Sequence, residues 1–308
     1  MNMPSFTLDT LTHLLVVAVL PPLLLGVITK TKAAFGGRVG APFFQPYYDL
    51  LKLFRKGSVF STTTTWIFRA SPVVGIATAL LASLLLPLGN HTAPLSFAGD
   101  LILFAYLLGL ARFFTICAAL DTGSAFEGMG GAREATFSCL AEPALFLGLL
   151  VLVKRSASLS LGTMLGAGVG TEWQGAGASL VLVLVSLFIV LLAENCRIPF
   201  DDPNTHLELT MIHEVMVLDH SGPAFGMILY GAALKLFVLG AIVVRLAVPF
   251  DTGNPWLNWG VFVGGMLLLS VLVGVVESAM ARLRLTQVPS LLVAACLLSG
   301  FGIILLAR

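Results

Sequence analysis

The chain has 308 residues, 57% of them hydrophobic and 11% charged, with a mean hydropathy of +0.98. Soluble domains carry about 25% charged residues, so this composition describes a polytopic membrane protein. The net charge of +1 gives no bulk attraction to nucleic acid, and the scattered Cys117, Cys139, Cys196 and Cys296 make no C-x-x-C pair, disulfide framework or iron–sulfur motif.

A membrane span needs about 20 apolar residues. Eight runs approach or exceed that length, near 11–29, 67–89, 98–120, 135–153, 178–193, 223–247, 256–277 and 287–307. They predict an all-α fold, one membrane domain over 1–308. Met1–Thr12 contains no Lys or Arg, so the first run reads as a span rather than a cleaved signal.

Between the first two runs lies APFFQPYYDLLKLFRKGSVF. Tyr47, Leu50, Leu51 and Phe54 recur at helical spacing, with Asp49, Lys52, Arg55 and Lys56 between them. This pattern predicts a short amphipathic helix in the membrane interface, serving as an anchor or as the lid of a surface cavity. The next link, LDTGSAFEGMGGAREATF, is expected to be a tight, mobile loop because of Gly123, Gly128, Gly130 and Gly131. It lacks the phosphate-cradling G-x-x-x-x-G-K-[ST] pattern.

Ionisable groups inside spans are costly and point to function. Arg112, Glu142 and Lys235 lie within apolar runs, while Glu194 and Glu277 lie near the ends of theirs. Either Arg112 or Lys235 pairs with Glu142 to lock the bundle, or the carboxylates and water form a proton path. In AEPALFLGLLVLV an unpaired Glu142 would lose hydration, which favours its neutral form.

The most charged stretch is Glu194–Pro223, which holds six of the chain's sixteen acids and three of its five histidines. Pro199 disfavours helix at Ile198. Asp202-Pro203 reads as a helix start, and Ser221-Gly222-Pro223 as a stop, predicting a helix to about Leu218 with His206 and His213 two turns apart on one face. His206, His213 and Glu214 do not have a standard zinc spacing, and H-E-x-x-H is absent, so no metal is expected. No G-x-S-x-G element suggests a hydrolase.

Basic residues set the orientation. Lys30, Lys32, Arg38, Lys52, Arg55, Lys56, Arg69, Arg133, Arg197, Arg282 and Arg284 fall on one side, and Lys154, Arg155, Arg245 and Arg308 on the other. The positive-inside rule then puts both termini outside and the Glu194–Pro223 loop in the cytoplasm.

The E-x-x-R-x-P-F-D run of Glu194, Arg197, Pro199, Phe200 and Asp201, between the fifth and sixth spans, resembles subunit 1 of respiratory complex I. Its continuation, DPNTHLELTMIHEVMVLDHSGP, departs from the acid-rich complex I loop. With QPYYDLLKLFRK and LDTGSAFEGMGGAREATF, it is similar instead to the membrane subunits of group 4 nickel–iron hydrogenases, of the formate hydrogenlyase and hydrogenase-4 kind.

This resemblance implies a non-catalytic subunit in the cytoplasmic membrane. It would join hydrogenase large and small subunits and a ferredoxin-like iron–sulfur subunit to antiporter-like membrane subunits. The nickel–iron centre and the iron–sulfur clusters would belong to those partners, and this chain would hold no cofactor. Arg197, Asp201, Asp202, Glu208, His213 and Asp219 would face the peripheral arm, with Arg197 and Asp201 either contacting it or holding the loop in shape. Glu134, Glu142, Glu194 and Glu214, with Arg112 and Lys235, would carry protons. The alternatives are a quinone-site subunit of a complex I-type NADH dehydrogenase and a stand-alone transporter using Glu142 and Lys235. Missing repeat symmetry and elaborate loops count against the transporter.

Overall fold

The structure is a computed structural model and describes residues 6–166, 169–201, 211–249 and 251–306. Its helices are α1 (Phe6–Phe35), α2 (Gln45–Phe54), α3 (Trp66–Leu84), α4 (Asp100–Asp121), α5 (Ala125–Ser156), α6 (Leu161–Met164), α7 (Val169–Glu194), α8 (Gly222–Ala247), α9 (Pro255–Ala279) and α10 (Val288–Leu305). A 3-10 turn, Glu214–Val217, precedes α8. No strand occurs among the described residues. Eight helices, all but α2 and α6, are long and apolar enough to cross a membrane. Alternating passes bring the start of α1 and the end of α10 to one side and the segments 36–65, 122–124, 195–201, 211–221 and 280–287 to the other, the loop end.

The glycine-rich link differs from expectation. Only Gly123, at φ +70°, lies in the turn, and α5 starts at Ala125 and runs unbroken through Pro143. Gly130 shows why helix is kept despite a cost of about 1 kcal/mol relative to alanine. A Cβ there would lie 2.3 Å from Val215 Cγ1 and 3.0 Å from the Ile212 carbonyl. Gly130 therefore lets the 211–217 segment press directly on α5. Glu127, buried in the first turn, accepts the Asp219 N–H at 3.1 Å and ties down the far end of that segment.

Small and hydroxylated residues join α5, α7 and α10. Ser179 Oγ donates to the Gly302 carbonyl (2.7 Å), Ser186 Oγ to the Ala295 carbonyl (2.8 Å), and Ser299 Oγ to Ser186 Oγ (2.8 Å). Gly148 packs on Leu187 and Ser299. Between apolar helices in lipid, close packing and hydroxyl bonds of about 0.6 kcal/mol each replace the hydrophobic drive that water would give. The other face of the bundle centres on α8, packed against α1, α3, α7 and α9.

The amphipathic helix forms as expected. Leu53 packs on Gly226 of α8, the Tyr47 hydroxyl donates to the Val19 carbonyl of α1, and Tyr48 and Leu51 are exposed. One apolar stripe thus faces the bundle and another faces outward. Gly26 permits the approach, because a Cβ there would lie 2.0 Å from the Phe43 carbonyl oxygen.

The predicted helix ending near Leu218 is not found in its described part. His213 precedes a single 3-10 turn, and Ile212 gives its N–H to Asp201 rather than to a helical carbonyl. The rest of that prediction, including Asp202, His206 and Glu208, lies outside the described residues.

Candidate functional site

Arg112, about two turns from the loop end of α4, is the hub of a buried charge cluster. Its Nη2 is 2.6 Å from both carboxylate oxygens of Glu194 on α7. Nη1 donates to Glu142 on α5, and Nε lies 3.5 Å from Glu134 two turns earlier on the same helix. Lys235 of α8 reaches Glu194 from the other side at 2.8 Å. Four helices thus meet in one set of charges. Removing charges from water costs several kcal/mol each, and such a set persists only where geometry and hydrogen bonds repay it.

Two expectations for Glu142 are settled here. Its cation is Arg112, while Lys235 serves Glu194. Its side chain is not shut inside the bundle but is 44% exposed on the chain's flank, where it meets the Arg112 guanidinium.

A cavity of about 100 Å³ adjoins the cluster, lined by Arg112, Glu134, Glu194, Lys235 and His213 among others. One water needs about 10–15 Å³ of such space, so several fit. On the loop-end side lies a chamber of about 440 Å³ between α1, α2 and α8, lined by Lys32, Asp49, Arg197, Glu214 and Glu277. Glu214 therefore belongs to the chamber rather than to the Arg112 cluster.

Arg197 and Asp201 point inward. Glu277 of α9, its side chain fully buried, takes Lys32 of α1 at 2.8 Å and Arg197 at 3.3 Å. Asp201, also buried, accepts the Ile212 N–H at 2.8 Å and pairs with Arg282 at 2.9 Å. The Leu283 N–H donates to the Pro199 carbonyl at 2.9 Å. These bonds fold the segment after α7 onto the α9–α10 link. His213 also turns in, and burial lowers its pKa below the usual 6.5. His220 stacks on Phe68 at 3.8 Å, and burial brings its pKa to about 4. Of the docking residues expected from sequence and described, Asp219 alone has an exposed face.

Sequence reasoning did not find Lys32 and Arg282 as partners of Glu277 and Asp201, nor Cys196. Lys32 carried a usable signal, since it lies just beyond an apolar run on the side where Glu277 ends another. Cys196 carried none. Its thiol enters the site through a turn at φ +47°, next to Glu134 and His213. Burial, then Glu134 and Asp201, push that thiol's pKa well up.

The family model for NADH dehydrogenase matches residues 8–307. The chain belongs to the NADH dehydrogenase family. It is 32% identical to formate hydrogenlyase subunit 4 of Escherichia coli (strain K12), over 95% of this chain and 94% of that protein. Identity is also 32% to hydrogenase-4 component C of the same organism, over 89% and 87%. It is 23% to NADH-quinone oxidoreductase subunit 8 of Rhodothermus marinus, over 76% and 72%. A chain of the membrane-bound sulfane sulfur reductase, an archaeal respiratory membrane complex, shares the fold at a TM-score of 0.80 and 21% identity, over 96% of this chain and 98% of that one. The relatives are thus membrane subunits of hydrogenase-type and NADH-quinone oxidoreductase-type complexes, and this family member is a multi-pass membrane protein.

Proposed function

We propose that this chain is the membrane-anchoring, proton-path subunit of a redox-driven complex of the hydrogenase type. It docks a peripheral nickel–iron arm, composed of large, small and ferredoxin-like subunits, to antiporter-like membrane subunits. The metal centres belong to the partners. The observation that carries this reading is the connected run Glu142–Arg112–Glu194–Lys235, which adjoins a cavity with room for several waters. An ion pair serving only to lock helices needs neither a second cation on Glu194 nor adjoining space. Docking falls to the exposed rim around Asp219 and to the 202–210 segment, with Arg197 and Asp201 holding that rim in place.

Glu142→Gln keeps size and hydrogen bonding but cannot release a proton. Arg112 retains Glu194, so the variant complex should assemble at wild-type level and lose turnover or proton coupling in membrane vesicles. Normal coupled activity would reduce Glu142 to a structural role.

The eleven-to-four bias of basic residues supports a cytoplasmic loop end in the cytoplasmic membrane, with both termini outside. Reporter fusions at Gly170 and His206 should label opposite sides of the membrane. Two cytoplasmic signals would overturn that topology.

The 440 Å³ chamber favours a second reading, a quinone-site subunit of a complex I-type NADH dehydrogenase. Co-purification separates the two. A large subunit with two C-x-x-C nickel-ligand pairs selects the hydrogenase type, and a flavin subunit selects the other.

A further inference from the structure

Three ligand-bearing side chains converge beside the charge cluster from separate elements. Glu134 comes from α5, Cys196 from the turn after α7, and His213 from the residue before the 3-10 turn. One ligand atom of each lies within 4.8 Å of the other two, and Cys196 Sγ is 4.0 Å from Glu134 Oε2. Glu134 and His213 share the wall of the 100 Å³ cavity, and Cys196 and His213 share the wall of the 440 Å³ chamber. Glu134 and Cys196 share a third pocket of about 20 Å³. Each pair of the triad thus lines a different cavity, and the three side chains stand between all three.

We propose that this junction binds a divalent transition-metal ion of the zinc class, with Glu134, Cys196 and His213 as ligands and water in the fourth position. Thiolate, imidazole and carboxylate together suit zinc, at about 2.0–2.3 Å from the ion. Tetrahedral geometry then sets ligand atoms about 3.3–3.8 Å apart, which rotation about the side-chain bonds reaches from the present spacing. Glu134 has the longest of the ion-pair contacts to Arg112, 3.5 Å to Nε, so turning toward an ion costs it the least of the three pairings. On binding, the Cys196 S–H bond breaks, a sulfur–metal bond forms, and the proton leaves to water in the chamber. No electron moves. The ion's double charge less that proton adds one positive charge where Glu134, Glu142 and Glu194 face Arg112 and Lys235. The chamber is the entry route.

The site has a functional consequence that rests on the proton-path reading. A metal on Glu134 and His213 takes both out of any hydrogen-bonded route between the chamber and the Arg112 cavity. Zinc should therefore inhibit proton transfer from the loop end.

Cobalt(II) alone is the probe for the site, since a thiolate ligand gives it a near-ultraviolet charge-transfer band. The full-length chain, purified in detergent with any affinity tag removed, should develop this band with one Co²⁺ per chain, and Zn²⁺ should abolish it. Cys196→Gly is the informative variant. Glycine adopts the φ of +47° at this position without strain, so the variant should keep its melting temperature. It should lose the band and bind Zn²⁺ at least about 10-fold more weakly, the loss that removal of even an outer-shell partner brings. A chain with Cys117, Cys139 and Cys296 replaced by serine should keep the band. No band in the wild type, or one that persists in Cys196→Gly, overturns the site. In membrane vesicles Zn²⁺ should slow proton uptake in the wild type and not in Cys196→Gly. A cobalt band that depends on Cys196 with no zinc effect on proton uptake would establish the metal site and refute the proton-path reading.

Discussion

Arg112→Ala is expected to be the most damaging single substitution in the bundle. It leaves Glu134, Glu142 and Glu194 without the guanidinium that contacts all three, and breaking a buried pair in this way costs about 3–5 kcal/mol. That is a large part of the about 5–15 kcal/mol that holds a typical protein folded. The expected result is a several-fold lower abundance of the chain in membranes and a clear drop in its melting temperature in detergent. Arg112→Lys should fall between the two, because an ammonium keeps the charge but not the fork that binds both oxygens of Glu194. Adding Glu134→Gln to Arg112→Ala should restore part of the loss, since a carboxylate left without its cation disappears, whereas Glu194 keeps Lys235. Such a cycle measures the coupling between the two residues. Full stability of Arg112→Ala would mean that other groups balance the three acids.

Asp201→Ala should release the segment after α7. The substitution strips the buried Ile212 N–H of its acceptor and Arg282 of its carboxylate. An unsatisfied buried donor alone costs about 1–3 kcal/mol. The transmembrane helices lose nothing directly, so the effect is local. Protease added on the loop-end side should cut between positions 211 and 221 in the variant and spare that stretch in the wild type. The peripheral arm should wash off the variant membranes. Asp201→Asn retains an acceptor for Ile212 and should sit closer to wild type. Equal protease resistance in Asp201→Ala and wild type would remove this role.

The part of the fold that water and lipid dictate was legible in the sequence. Eight runs long enough to cross hydrocarbon became eight long helices, and the alternation around Tyr47–Phe54 became α2. What depends on tertiary neighbours was not legible. Gly130 and Gly131 read as loop residues, yet Gly130 lies in a helix because the 211–217 segment needs the space a side chain would fill. Arg197 and Asp201 read either as arm-facing, which the resemblance implies, or as holding the loop in shape, and the sequence did not choose between them. Their partners Glu277 and Arg282 lie some 80 residues further along the chain, and no local pattern announces the pairing. Arg112, Glu142, Glu194 and Lys235 were found because charges within apolar runs stand out. Which cation serves which acid required the helix rotations.

Glu277 has a mechanical consequence. One carboxylate holds Lys32 at the end of α1 and Arg197 in the turn after α7, and so rivets that turn to two helices that already pack on each other. A subunit that pulls on the turn also loads α1, and with it the wall of the chamber. Parting the turn from α1 means breaking one of the two contacts on a fully buried carboxylate. Force applied at the turn is thereby passed to α1 and α9 instead of being absorbed in a loose loop.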